Sequence, residues 1–207
     1  MTSTIKISGL WLKVGQILIM NFSNTNYSPG FISLGLEPFH TVGILGQNSP
    51  EWLLSNIGAI HAGGFATGIY QTNTKEACHY IADDSRANII VVDDEEQLNK
   101  VLAIKDDLKH LKAIVRYGEE ASTIPGVISW QELLKIGQAA TDNILDERLK
   151  AIAVNQCCLL VYTSGTTGNP KGTMLSHDAV TYSAIQNTDF FYYKWGQEAV
   201  LSYLPLR

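Results

Sequence analysis

From residue 41 onward, short apolar runs alternate with polar stretches that form helices, and this alternation limits the fold more than any other feature. The clearest run is 88–93 (Asn-Ile-Ile-Val-Val-Asp), whose β-branched residues favour a strand. A second run, 157–162 (Cys-Cys-Leu-Leu-Val-Tyr), is apolar throughout, which predicts a strand buried on both faces. The other predicted strands are 41–46, 65–70, 111–117, 172–175 and 201–204.

Helix signals separate these runs. Residues 49–51 (Ser-Pro-Glu) supply an N-cap, a first-turn proline and a first-turn acid, and Gly63-Gly64 ends the helix that they begin. Residues 138–155 are predicted to be a polar helix or loop, and 21–30 a loop because the segment ends in Pro-Gly. Further helix starts are predicted at Thr74, Asp94, Ser129 (a capping box with Glu132) and Ser176.

Strands that alternate with helices at these lengths predict an α/β fold. The sheet is expected to be mostly parallel, with helices on both faces and right-handed crossovers. In such a fold, ligands bind at the carboxyl ends of the strands.

Composition excludes several classes of function. The net charge is −5 without a basic run, so no nucleic-acid partner is expected. Three cysteines, two of them adjacent, give no disulfide framework and suit a reducing compartment, so a cytoplasmic location is expected. The histidines do not cluster with cysteines or carboxylates, so no metal site is predicted.

The stretch 163–172 (Thr-Ser-Gly-Thr-Thr-Gly-Asn-Pro-Lys-Gly) follows the predicted strand at 157–162. Its glycines let backbone N–H groups approach an anion, its hydroxyls can donate to phosphate oxygens, and Lys171 supplies a positive charge. The alternative is an ordinary Gly/Thr turn. The spacing differs from a Walker A loop because Gly165 and Gly168 are three apart and Lys171 precedes a glycine. The candidate phosphate-binding residues are Thr163, Ser164, Gly165, Thr166, Thr167, Gly168, Asn169, Pro170 and Lys171.

The stretch 162–172 resembles the phosphate-loop signature of adenylate-forming enzymes. Segments 42–52, 62–64, 155–158 and 202–206 are similar to the bubblegum group of long-chain acyl-CoA synthetases. The resemblance implies a partial adenylate-forming N-terminal domain at 34–207, truncated at its C-terminal end, after a divergent N-terminal segment, 1–33.

This resemblance implies a two-step ligase reaction. A long-chain fatty acid carboxylate would attack ATP to give an acyl-adenylate and pyrophosphate, and the thiol of CoA would then displace AMP. Residues 163–171 would hold the β- and γ-phosphates with Mg²⁺ as partner, and 203–206 would approach the acyl site. No catalytic residue and no metal ligand is assigned. The family's adenine, Mg²⁺, ribose and CoA sites lie in segments that this chain does not show, so the isolated chain is expected to have little or no ligase activity.

Several alternatives stay open. The apolar run 9–20 is shorter than the roughly 20 residues that span a bilayer, and it fits a signal peptide, a membrane-surface anchor or a buried segment. Peripheral association with the endoplasmic reticulum membrane is one expectation, and the oligomeric state is not predicted. His177 is interpreted as a surface residue, and the aromatic residues 190–193 as either an acyl-tunnel lining or a surface patch. The competing functions are a non-catalytic regulatory or binding product and an unrelated nucleotide-binding module.

Overall fold

The computed structural model describes residues 4–7, 10–13, 26–118, 124–140, 143–163 and 169–192. Two short strands near the start, β1 (Thr4–Ile7) and β2 (Leu10–Lys13), pair with each other in antiparallel orientation. Across these described ranges, no helix has the length and apolar character needed to cross a membrane.

A seven-stranded sheet with the order β7-β6-β5-β3-β4-β8-β9 organises the rest of the described chain. Strands β3 to β8 run parallel to their neighbours, and only the pairing of β9 with β8 is antiparallel. The prediction of a mostly parallel sheet is therefore confirmed. The strands are β3 (Thr41–Leu45), β4 (Phe65–Ile69), β5 (Ala87–Val92), β6 (Ala113–Arg116), β7 (Val127–Ser129), β8 (Cys157–Thr163) and β9 (Lys171–Ser176).

The helices of the described residues begin mostly where the sequence predicts. Five of them start after a side chain that accepts a hydrogen bond from the backbone N–H three residues later, namely Ser49, Thr74, Asp94, Ser129 and Ser176. The helices are α1 (Tyr27–Ser33), α2 (Pro50–His61), α3 (Lys75–Asp84), α4 (Glu95–Leu102), α5 (Trp130–Gln138), α6 (Asn143–Ala151) and α7 (His177–Phe190).

Helices cover both faces of the central strands of the sheet, as predicted. On one face, α1, α2, α5 and α6 bury side chains such as Phe31 and Leu133 against alternate residues of the central strands. On the other face, α3 and α4 bury Ile81 and Leu98, and the Tyr162 ring of β8 belongs to this second cluster. Burying apolar side chains on both faces is the main favourable contribution to folding in such a sheet.

The loop predicted at 21–30 is wrong for its last residues, because α1 begins at Tyr27. Pro29 lies in the first turn, where a helix does not need the missing N–H group. Gly30 faces α5 so closely that a Cβ there would lie 2.8 Å from the Cδ1 atom of Leu133, and Phe31 is fully buried. Tertiary packing therefore outweighs the local turn signal of Pro-Gly.

Strand β8 is confirmed, but its predicted burial on both faces is wrong. Cys158, Leu160 and Tyr162 are buried, whereas the residues that alternate with them are only half-buried. The neighbouring strand β9 is largely open to solvent, with Met174 66% exposed, and α7 buries no side chain. One face of β8 therefore lacks full helical cover.

Two further segments refine the sequence interpretation. Strand β7 was not predicted, since its three residues are too few for a periodic pattern. The ambiguous stretch 138–155 contains helix α6. The strand predicted at 201–204 lies outside the described residues.

Candidate functional site

The two strands that flank the glycine-rich stretch pair directly with each other. Strand β8 ends at Thr163, β9 begins at Lys171, and these two residues are partners in the antiparallel register. The stretch therefore connects two paired antiparallel strands. Both Thr163 and Lys171 are exposed, so a hydroxyl group and an ammonium group are available to a ligand at the base of the connection.

The structure places four of the nine predicted phosphate-binding residues. Asn169 is exposed and Pro170 half-buried, and both precede the first residue of β9. Together with Thr163 and Lys171 they form the two ends of the loop. The other five predicted residues, Ser164, Gly165, Thr166, Thr167 and Gly168, lie outside the described residues. Phosphate binding stays a prediction for all nine.

This loop leaves the sheet at the edge where the parallel strands end. Strand β8 runs parallel to β4, and β4 runs parallel to β3, which is itself parallel to β5. The chain reverses its direction across the sheet at β3, two strands away from β8, since β4 lies on one side of β3 and β5 on the other. Ligands of open α/β sheets bind at such a reversal, outside the carboxyl ends of the strands.

A single carboxylate links the segments that follow β3, β4 and β5 at this edge. The Oδ2 atom of Asp93 accepts hydrogen bonds from the backbone N–H of Gln47 and from the Nε2 atom of Gln71, each at 2.8 Å. Its Oδ1 atom accepts the backbone N–H of Asp94 at 2.8 Å. Burial raises the pKa of Asp93, and the hydrogen bond from Gln47 counteracts part of that rise.

Neighbouring side chains extend this polar network. The Nζ atom of Lys100 donates to the backbone carbonyl of Gln71 at 2.6 Å, and it lies 3.1 Å from a carboxylate oxygen of Glu96. The helix start predicted at Asp94 is confirmed, since the Asp94 side chain caps α4. Sequence reasoning missed Asp93, whose hydrogen bonds from Gln47 and Gln71 form only through the strand order. The available signal was a carboxylate directly after a central strand.

Other candidate chemistries find little support in the described residues. Cys78 and Cys158 are buried and Cys157 is half-buried, and all three are free thiols. Burial raises the pKa of Cys78 and of Cys158 to about 11, so these thiols are protonated and weakly nucleophilic near neutral pH. Within the described ranges, no group of three or more His, Cys, Asp or Glu side chains is arranged to hold a metal ion.

The side chains of the described residues after β9 are largely exposed to solvent. His177 is the first residue of α7 and is half-buried, which lowers the pKa of its imidazole. Phe190, Phe191 and Tyr192 are 75%, 54% and 87% exposed. Of the two interpretations of this aromatic cluster, the exposure of these three side chains favours a surface patch.

Comparison with known proteins assigns the family. The family model described as AMP-binding enzyme matches residues 25–207 of this sequence. The chain belongs to the AMP-binding enzyme family. Membership confirms the resemblance to adenylate-forming enzymes that the sequence indicates.

Similar AMP-binding enzymes include two curated ligases. The chain is 50% identical over 187 residues to long-chain-fatty-acid–CoA ligase ACSBG2 of Xenopus laevis, an alignment of 86% of this chain and 24% of that ligase. It is 52% identical over 181 residues to long-chain-fatty-acid–CoA ligase ACSBG1 of Rattus norvegicus, with 86% of this chain and 25% of the ligase covered. The chain thus spans about a quarter of the length of these relatives.

A solved structure supports the same fold. The crystal structure of the anthranilate CoA ligase AuaEII in complex with anthranoyl-AMP matches 89% of this chain and 33% of that enzyme, with 26% identity and a TM-score of 0.70. The parallel sheet and its helical layers are therefore those of an adenylate-forming enzyme.

Proposed function

We propose that this chain provides the part of a long-chain fatty acid–CoA ligase that binds the phosphates of ATP. The overall reaction would convert ATP, a long-chain fatty acid and CoA into acyl-CoA, AMP and pyrophosphate. The observation that carries the proposal is the pairing of Thr163 with Lys171 at the carboxyl edge of the sheet, in a chain about half identical to two such ligases.

The reaction would proceed in two substitutions. A carboxylate oxygen of the fatty acid attacks the α-phosphorus of ATP, and the bond from that phosphorus to the β-phosphate oxygen breaks, which releases pyrophosphate. The thiol of CoA, losing its proton, then attacks the carbonyl carbon of the acyl-adenylate and displaces AMP. The role of Lys171 is to offset the negative charge on the departing pyrophosphate, while backbone N–H groups and hydroxyls of the loop bind its oxygens.

Magnesium is part of the proposal as the ion that accompanies ATP. Mg²⁺ commonly binds through one or two carboxylates together with substrate phosphates and water. The described residues form no cage for a metal, and only Thr163, Asn169, Pro170 and Lys171 of the loop are among them. The ion would supply charge neutralisation on the phosphate oxygens, and this chain's own contribution is the orientation and binding of those phosphates.

The isolated chain is proposed to bind ATP without turning it over. It aligns with about a quarter of the length of the two ligases. We also propose a cytoplasmic location, with peripheral attachment to the endoplasmic reticulum membrane. Three free cysteines support the reducing compartment, and fractionation of cells that express the chain tests both statements.

A chimera tests the ligase proposal directly. This chain would replace the homologous quarter of the Xenopus laevis ligase, and acyl-CoA formation from palmitate, ATP and CoA would be measured. Activity is expected, and it should fall by roughly a hundredfold in the Lys171→Ala chimera because a charge that stabilises the leaving group is lost. A folded chimera without activity, or one that does not respond to Lys171→Ala, would contradict the proposal.

A further inference from the structure

Tyr162, the residue before the loop, is tied to a helix by its hydroxyl group. Its ring is buried in β8, with only 5% of the residue exposed. The phenol donates a hydrogen bond of 2.6 Å to the Oδ2 atom of Asp84, the last residue of α3. Burial and the adjacent carboxylate raise the pKa of Tyr162, so the phenol remains a donor throughout the neutral range.

The same ring also lies against the strand that leaves the loop. Tyr162 and Gly172 are partners in the antiparallel register of β8 and β9. A Cβ atom at Gly172 would lie 3.0 Å from the Cζ atom of Tyr162 and 3.2 Å from its hydroxyl oxygen. The absence of a side chain at Gly172 therefore allows the ring to contact the backbone one residue after Lys171.

Through these two contacts, one side chain connects the strand that enters the loop with the strand that leaves it. Tyr162 precedes Thr163, Gly172 follows Lys171, and the Tyr162 ring joins them to the end of α3. We propose that Tyr162, held by Asp84, is a positioning residue that fixes the separation and direction of the two strands as they enter the phosphate loop. This inference rests on the proposed function, since it assumes that the loop binds phosphate.

A role in packing alone is the alternative, and conservative variants separate the two. Tyr162→Phe keeps the buried ring and removes the hydroxyl, and Asp84→Ala removes the acceptor. Asp84→Asn keeps a carbonyl oxygen that can accept from the phenol. The matched control is Thr41→Val, because the Oγ1 atom of Thr41 is buried and donates at 2.6 Å to the backbone carbonyl of Ser85, beside Asp84. This control loosens the same end of α3 without touching β8.

The experiment is equilibrium binding of Mg-ATP to the 207-residue chain. Unfolding by urea is measured for each variant, and affinities are compared per folded molecule. Tyr162→Phe and Asp84→Ala should each weaken binding about fivefold, because each removes the half-buried hydrogen bond to a charged group that would position the ends of β8 and β9. The double variant should be no weaker than either single one, since both remove the same bond. Asp84→Asn should stay within about twofold of the original chain.

The outcomes distinguish failure of this inference from failure of the proposed function. If Lys171→Ala weakens binding while Tyr162→Phe binds like Thr41→Val and the original chain, the positioning role is wrong and the phosphate loop stands. If the original chain does not bind Mg-ATP, or Lys171→Ala does not weaken binding, the proposed function is wrong and the positioning role falls with it. Reduced affinity in Tyr162→Phe and Asp84→Ala, recovered in Asp84→Asn, supports the inference.

Discussion

Thr163 and Lys171 are direct cross-strand partners, and this pairing holds the two ends of the glycine-rich loop side by side. The loop is therefore anchored at both ends in the sheet. An anchored loop loses less conformational entropy when it binds an anion than a free loop does, since its ends are already ordered. The hydroxyl of Thr163 and the ammonium group of Lys171 are both exposed at its base.

Replacing Asp93 should destabilise the carboxyl edge of the sheet. Asp93→Ala removes the acceptor for the exposed backbone N–H of Gln47 and for the half-buried donors of Gln71 and Asp94. Leaving the two half-buried donors without their charged acceptor should lower the free energy of unfolding by about 2 kcal/mol. Asp93→Asn keeps one carbonyl oxygen and should cost less. Urea unfolding measures both. The control is Glu95→Ala, an exposed position in the first turn of α4, expected within about 0.5 kcal/mol. If Asp93→Ala and Glu95→Ala changed the free energy of unfolding equally, the hydrogen bonds to Asp93 would not stabilise this edge of the sheet.

Adding a methyl group at Gly137 should break the contact between α5 and α1. A Cβ there would overlap the backbone carbonyl of Asn26, which precedes α1. Because backbone atoms cannot move aside as a side chain can, Gly137→Ala should destabilise the chain by about 3 kcal/mol, although alanine favours helices. Thermal unfolding measures the loss. Gln138→Ala, at the adjacent exposed position, should change little, and a neutral Gly137→Ala would show that α1 does not pack as described.

The chain should lose stability as the pH falls from 7.5 to 5.5. Burial lowers the pKa of His61 and of His177 in the folded chain. In the unfolded chain, the histidine pKa is near 6.5. Between this pH and the lower pKa of the folded chain, the unfolded chain binds more protons than the folded chain does. The free energy of unfolding therefore declines as the pH falls below about 6.5. Urea unfolding at both pH values tests this. His61→Asn should flatten the dependence, whereas the non-titrating Thr41→Val should leave its slope intact. Greater stability at pH 5.5 would contradict the prediction.

Local signals were sufficient to predict most of the fold. The strand at 88–93 is recognisable because a run of β-branched residues needs no tertiary information, and β5 is buried at every position. The helix starts at Ser49 and Asp94 are equally local, since an N-cap side chain bonds to a backbone N–H only three residues away. The composition of the glycine-rich stretch favours phosphate binding without reference to distant residues, and that role stays a prediction.

Contacts between distant residues could not be predicted in the same way. Helix α1 exists because Gly30 fits against Leu133, a residue about a hundred positions away. The network around Asp93 needs the order of β3, β4 and β5, and the bond from Tyr162 to Asp84 joins residues 78 positions apart. A sequence pattern predicts whether a residue lies on the buried or the exposed face of its helix or strand. The residue that it contacts there depends on the order of the strands in the sheet.

The most direct test of the account is calorimetric titration of the 207-residue chain with Mg-ATP and with AMP. If the loop between Thr163 and Lys171 binds the β- and γ-phosphates, Mg-ATP should bind at least about tenfold more tightly than AMP. Lys171→Ala should remove most of that difference, while Lys150→Ala, at an exposed position in α6, should preserve it. Equal affinity for the two nucleotides, or an unchanged preference in Lys171→Ala, would contradict the assignment of this loop to the phosphates of ATP.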